Sequence, residues 1–171
     1  MDNIQKAKNG DADAFIALMQ SQMQSMYKIA RSILKSDEDV ADAIQETILS
    51  CWEKLDSLKE NRYFKTWMIR ILINKCNNIW TEKNHYISGM DVPESPVYDV
   101  NFDNAEWNMV MNSLDARYRL IMILYYVEGF KTSEISRMLG IPESTVRTRL
   151  ARGRNHLAKI YGTEERGVFH E

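Results

Sequence analysis

Thr132-Ser133-Glu134-Ile135-Ser136-Arg137-Met138-Leu139-Gly140-Ile141-Pro142-Glu143-Ser144-Thr145-Val146-Arg147-Thr148-Arg149-Leu150-Ala151-Arg152-Gly153-Arg154 reads as two helices about a tight turn. In the first helix Ile135 and Leu139 lie four apart and share a buried edge, with Thr132 or Ser133 as its cap. Gly140 can take a positive φ, Ile141 plugs the angle between the helices, and Pro142 suits a first helical turn. The second helix is expected from about Glu143 to Ile160, with Val146, Leu150 and Leu157 facing a core. A short helix, a glycine-containing turn and a basic second helix make a helix-turn-helix. Its outward side carries Ser144, Thr148, Ala151, Arg152 and Asn155, flanked by Arg147 and Arg149. Arginine pairs bidentately with guanine, and serine or threonine serves base edge or phosphate. Arg152, Thr148 and Arg147 are therefore expected at base edges. Arg149, Lys131 and Arg154 are expected at phosphates, Arg154 least so because it lies nearer the core side. Gly153 costs the helix about 1 kcal/mol relative to alanine, which close approach of another element would explain.

Upstream, Trp107, Val110, Met111 and Leu114 keep helical spacing, and Leu120 to Val127 is apolar all round, as in a helix at a domain centre. Glu128-Gly129 ends that run. Residues 131–160 carry seven Lys or Arg against Glu134 and Glu143, a local +5. Residues 84–104 carry Asp91, Glu94, Asp99 and Asp103 with no Lys or Arg, together with Gly89, Pro93, Ser95 and Pro96. Acidic residues, turn formers and two X-Pro steps predict a flexible linker there. The net charge of the 171-residue chain is −2, which argues against a generically polycationic DNA binder. Divided by segment, the same figure fits a localised polyanion contact.

The residues before the linker are also helical. Phe15, Leu18, Met19, Met26, Ala30, Ile33 and Leu34 stripe one helix, with Asp11 or Asp13 at its start. Val40, Ile44, Ile48, Cys51 and Leu55 stripe a second, and Phe64, Trp67, Met68 and Ile71 a third, where Trp67 reads as core. The fold expected is all-α: two small helical domains, at 8–83 and 105–161, joined by the linker 84–104.

Two polar surfaces stand out in the first domain. Asp37 to Asp39 fit the dipole of the second helix, but Asp42, Gln45 and Glu46 lie further in and share a face away from the apolar stripe. That face is either simply solvated or docks a basic partner. On the third helix Tyr63, Thr66, Arg70, Asn74 and Asn77 form a narrow polar strip, preceded by a loop with Asn61 and Arg62. Residues 54–83 sum to +4. Amides, arginine and an aromatic are what reading an unstacked base requires; a solvated strip is the plainer alternative.

Other function classes find little support. No apolar run nears the roughly 18–20 residues of a membrane span, and the N-terminal residues lack a secretion pattern. Cys51 and Cys76 have no metal or redox spacing and are expected as buried thiols of a reducing compartment. His85, His156 and His170 form no catalytic or metal constellation, and no glycine-rich phosphate loop occurs. No enzyme activity, catalytic residue, metal or cofactor is expected, and the location expected is cytoplasmic.

Two stretches, Asp42-Ala43-Ile44-Gln45-Glu46-Thr47-Ile48-Leu49 with Trp52, and Glu128-Gly129 through Gly140-Ile141-Pro142-Glu143 to Arg152-Gly153-Arg154, carry a family resemblance. In that order and at that distance, the chain resembles the extracytoplasmic-function sigma factors of the sigma-70 family. The resemblance implies a region 2 domain that docks on the clamp helices of the RNA polymerase β′ subunit through Asp39, Asp42, Gln45 and Glu46. It implies that Asn61, Arg62, Tyr63, Thr66, Arg70, Asn74 and Asn77 recognise and open the −10 element of promoter DNA. It implies a region 4 domain reading the −35 element, docking on the β flap of core RNA polymerase, and control by an anti-sigma factor. Two positions depart from the family pattern. Lys131 stands where serine is usual, so the cap is expected to move to Thr132, and Leu114-Asp115 stands where Leu-Pro is common. The rival reading is a stand-alone dimeric helix-turn-helix regulator, which leaves the Asp42–Glu46 face unexplained.

Overall fold

Asp11 Oδ1 accepts from the Ala14 amide at 2.9 Å, so the first long helix starts at one of the two acidic caps expected. The computed structural model describes residues 2–87 and 105–162, and among these residues there is no strand. The chain divides into two compact units, each all-helical with its own core.

In the first unit α1 (Asn3–Lys8), capped by Asp2, precedes α2 (Ala12–Ile33). Six residues show no apolar period, and α1 was not foreseen. Lys8 Nζ donates to the Leu58 carbonyl at 2.6 Å, tying α1 to the loop before the third long helix. Ser36 caps α3 (Asp37–Lys54), its Oγ accepting from the Asp39 amide at 3.2 Å. Short 3-10 turns at Leu55–Ser57 and Asn61–Tyr63 lead to α4 (Phe64–Ile87). With α1 at one end and α4 running to Ile87, this unit exceeds the 8–83 expected at both ends. Residues 88–104 of the linker lie outside the described residues.

Helices α2, α3 and α4 pack on one another around Phe15, Met26, Ile29, Val40, Ile44, Cys51, Phe64, Met68, Ile69, Leu72 and Cys76, all buried. Each large apolar side chain so placed stabilises the fold by about 1.5–3 kcal/mol. Trp67 does not join them. It is half-exposed, its ring 6.0 Å from Phe64, because Phe64, Met68 and Leu72 already fill the inner face of α4.

The second unit carries α5 (Ala105–Asn112), α6 (Ala116–Met122), a π-helical turn at Ile123–Val127, most of α7 (Thr132–Leu139) and α8 (Glu143–Tyr161). The Leu114-Asp115 corner closes without proline: Asp115 Oδ1 accepts from the Arg117 amide at 3.1 Å. Behind it Arg119 is buried, donating from Nε to the Met111 carbonyl at 2.8 Å and from Nη2 to the Leu114 carbonyl at 2.9 Å. The run Leu120–Val127 is not buried all round. Ile121 to Leu124 are, but Tyr125, Tyr126 and Val127 stand out in solvent where the helix widens into its π turn and stops at Gly129, φ +75.

The turn of the helix-turn-helix is built around Gly140, φ +64, with Ser136 Oγ donating to the Ile141 carbonyl at 2.6 Å. Two local expectations are corrected. Lys131, not Thr132, occupies the N-cap of α7, and its amide donates to Glu134 Oε2 at 2.8 Å. The Thr132 hydroxyl turns away to donate to Glu143 Oε1 at 2.6 Å. Pro142, with ψ 144, sits at the N-cap of α8, one residue before its first turn. Val146, Leu150 and Leu157 are buried as expected, and Gly153 lies against α6. A Cβ there would meet Met122 Sδ at 3.1 Å and Cγ at 3.2 Å, so the glycine is the residue that lets the two helices close.

Candidate nucleic-acid interface and docking face

Helix α8 turns Ser144, Arg147, Thr148, Arg152 and Asn155 to solvent, with Arg149 and Ala151 half-buried beside them. The expected set is thus assembled on one helix. Arg147 Nη2 is tied to Glu143 Oε1 at 2.8 Å, an i,i+4 pair that aims its guanidinium at the start of the helix. Thr148 spends its hydroxyl proton on the Ser144 carbonyl at 2.9 Å, leaving its lone pairs and methyl outward. Arg154 is drawn aside, Nη1 donating to Tyr126 Oη at 3.1 Å. Arg117 and Tyr118 of α6 join Ser144, Thr148, Arg149 and Arg152 in the wall of a notch. They escaped sequence reasoning because they belong to another helix, which the packing of α6 on α8 brings alongside.

In the first unit Arg70, Asn74 and Asn77 are exposed along α4, with Tyr63 exposed and Thr66 half-buried. The preceding loop is already engaged: Asn61 Nδ2 donates to Asp2 Oδ2 at 3.3 Å, and Arg62 Nε pairs with Glu60 Oε2 at 2.7 Å. The Arg62 guanidinium lies 4.8 Å over the Tyr63 ring. Trp80 stands half in solvent three residues beyond Asn77, and its angular position next to that residue was the signal available in the sequence.

The acidic face of α3 is smaller than expected. Asp42, Gln45 and Glu46 are exposed, and Glu46 Oε2 lies 3.8 Å from Lys75 Nζ. Asp39 is not part of this face. It is buried and pairs with Lys83 Nζ at 2.7 Å, because position 39 falls on the same side as Ala43 and packs toward α4. This hydrogen bond holds the Lys83 ammonium above its usual pKa. Beside Gln45 runs an apolar groove lined by Phe15, Ile16, Ile48, Leu49 and Trp52, of which Ile16, Leu49 and Trp52 are exposed. Leu49 and Trp52 lie off the Val40–Leu55 stripe, and that displacement marks them as outward in the sequence.

Cys51 and Cys76 are buried free thiols, and desolvation pushes each up to about 12. Among the described residues no His, Cys, Asp and Glu side chains converge as a metal site, and no helix is long and apolar enough to cross a membrane.

Residues 18–85 match the family model of sigma-70 region 2, and residues 105–157 that of sigma-70 region 4. The chain is 30% identical over 169 residues to the RNA polymerase sigma factor NccH of Alcaligenes xylosoxydans xylosoxydans, covering 91% of this chain and 90% of that protein. It is 28% identical over 175 residues to the ECF RNA polymerase sigma factor SigW of Bacillus subtilis, covering 91% and 93%. Among solved structures, the sigma factor RpoE of Bartonella quintana, in complex with the anti-sigma factor NepR, superposes with a TM-score of 0.72 at 20% identity, covering 88% of this chain and 98% of that one. CnrH, in complex with the cytosolic domain of CnrY, superposes with a TM-score of 0.68 at 22% identity, covering 95% and 97%. These two bear on the fold alone. With both region models matched in order along one all-helical chain, the protein belongs to the extracytoplasmic-function RNA polymerase sigma factors of the sigma-70 family, a family that is not an enzyme class, and its role is promoter-directed transcription initiation.

Proposed function

We propose that the first unit, residues 2–87, docks on core RNA polymerase through Asp42, Gln45 and Glu46, and that the α4 strip recognises and opens the −10 element. The second unit, residues 105–162, reads the −35 element with α8 and contacts the β flap. The observation that carries the docking assignment is the exposed acidic row beside an apolar groove at Ile16, Leu49 and Trp52. A partner presenting basic side chains around an apolar ridge fits both, and the β′ clamp helices are assigned as that partner. Asp39 is withdrawn from the docking set to a positioning role. Control by an anti-sigma factor belongs to the same reading, since RpoE, of like fold, was solved with one. The site of action is the cytoplasm, with the polymerase.

The dimeric regulator is the weaker reading. It gives no use to the α3 face, and the chain's relatives are named as sigma factors. The docking assignment is tested by Asp42→Lys with Glu46→Lys. Affinity for core polymerase should fall at least tenfold with the helical circular dichroism and melting unchanged; wild-type affinity would remove it.

A further inference from the structure

Two hydrogen bonds join the two ends of α1 to the loop before α4. Lys8 Nζ, from the last residue of α1, donates to the Leu58 carbonyl at 2.6 Å. At the N-cap, Asp2 Oδ2 accepts from Asn61 Nδ2 at 3.3 Å. Positions 2 and 8 lie about 9 Å apart along a helix. Leu58 and Glu60 are both extended, and extended steps from Leu58 to Asn61 reach about 10 Å. The loop therefore runs along α1 and is held at both ends. Helix α1 is itself anchored: Asp2 Oδ1 caps it through the Ile4 amide at 3.0 Å, and the Asp11 amide donates to the Lys6 carbonyl at 3.1 Å across the turn at Gly10, φ +91. Ala7 is the one buried residue of this helix, so α1 adds little to the core, whereas both side-chain bonds go to one loop. The Lys8 bond is charge-assisted and part-buried, which makes it the stronger of the two. The Asp2 bond has a different effect. A carboxylate only accepts, so it takes the Nδ2 side of the Asn61 amide, and that amide cannot turn over without losing the bond.

We propose that Asp2 and Lys8 are positioning residues for −10 selection. Lys8 fixes the loop backbone at Leu58, and Asp2 fixes which side of the Asn61 amide meets a base. The inference rests on reading Asn61, Arg62 and Tyr63 as part of the −10 surface. Neither Asp2 nor Lys8 touches DNA in this scheme; both act through the loop. A loop held before the base arrives has less conformational entropy to lose on binding it.

The test uses holoenzyme assembled from core polymerase and the full chain, on a promoter that this holoenzyme selects from a randomised library. Affinity is measured on single-base variants of the −10 and −35 elements, alongside affinity for core polymerase. Asn61→Ala first marks the −10 position that Asn61 reads. Asp2→Ser keeps a cap for α1 but is too short to hold Asn61. Discrimination at the marked position should then fall about fivefold, the low end of what one base contact supplies. Lys8→Met should lower it likewise, and Lys8→Arg, which can still donate to the Leu58 carbonyl, should restore it. Core affinity and the ranking of −35 variants should stay as in wild type throughout. Unchanged −10 discrimination in either Asp2→Ser or Lys8→Met overturns the inference. So does an equal loss in core affinity, which would make α1 a structural support only. If Asn61→Ala leaves every −10 preference intact, the −10 reading of the loop fails and takes this inference with it.

Discussion

Asp39 and Lys83 form a 2.7 Å ion pair that fastens the first turn of α3 to the far part of α4. Asp39 is buried, whereas the Lys83 side chain is 57% exposed, so the lysine reaches in from solvent to neutralise a carboxylate that keeps little of it. The pair holds the start of α3, the helix proposed to dock on the polymerase, against α4, proposed for the −10 element.

Removing the cation leaves Asp39 buried and unpaired, which is costlier than losing both partners. Lys83→Met should therefore destabilise the first unit in urea unfolding, and Lys83→Met with Asp39→Asn should recover part of the loss. The folded-state pKa of Lys83 lies above its ordinary value of 10.5. Its contribution is then fully present below pH 10.5 and lost as the pH rises through that raised value. The stability gap between wild type and Lys83→Met should be flat from neutral to moderately alkaline pH and close only beyond it. A gap that closes near neutral pH would contradict the pairing.

The two thiols should be inert in the folded protein. With both pushed up to about 12 and buried, on the order of one in ten thousand is ionised at pH 8. Iodoacetamide at pH 8 should leave Cys51 and Cys76 unmodified by mass spectrometry until denaturant is added. Rapid native labelling of either would show that α3 and α4 open locally.

Gly153 is set by Met122 across the α6–α8 contact. Gly153→Val would drive a branched side chain into Met122 Sδ and Cγ, already at 3.1 and 3.2 Å from an ideal Cβ. The second unit should lose about 1–3 kcal/mol, read from the shift in its urea midpoint, despite valine's better helix propensity. An unshifted midpoint would mean the helices separate freely.

Arg152 is, with Arg147, one of the two exposed arginines proposed for base edges. Arg152→Ala should weaken discrimination at one or two −35 base pairs by about 1–3 kcal/mol in holoenzyme binding. Equal weakening on every sequence would make it a phosphate contact.

The helix-turn-helix was legible because its signals are local: Ile135, the turn at Gly140-Ile141-Pro142, and the Val146, Leu150 and Leu157 stripe. Leu139, expected on a buried edge with Ile135, is only half-buried, and Met138 is buried in its place. What escaped depends on packing between helices. Arg119 looks like a surface cation until the carbonyls of Met111 and Leu114 close over it. Asp39 shares its acidic run with Asp42, and only its position opposite Lys83 separates structural from exposed carboxylate. Tyr125 and Tyr126 continue an apolar run, but the π turn rotates them out of the core. The net charge of −2 conceals a basic notch and an acidic face, which suits a protein whose hold on DNA depends on a large partner.

Core-dependent promoter binding tests the central claim most directly. Equilibrium binding and run-off transcription are measured on one promoter fragment with the chain alone, core polymerase alone, and both together. The account predicts tight, sequence-specific binding and initiation only when both are present. Tight sequence-specific binding by the free chain, with no initiation on adding core, would contradict it.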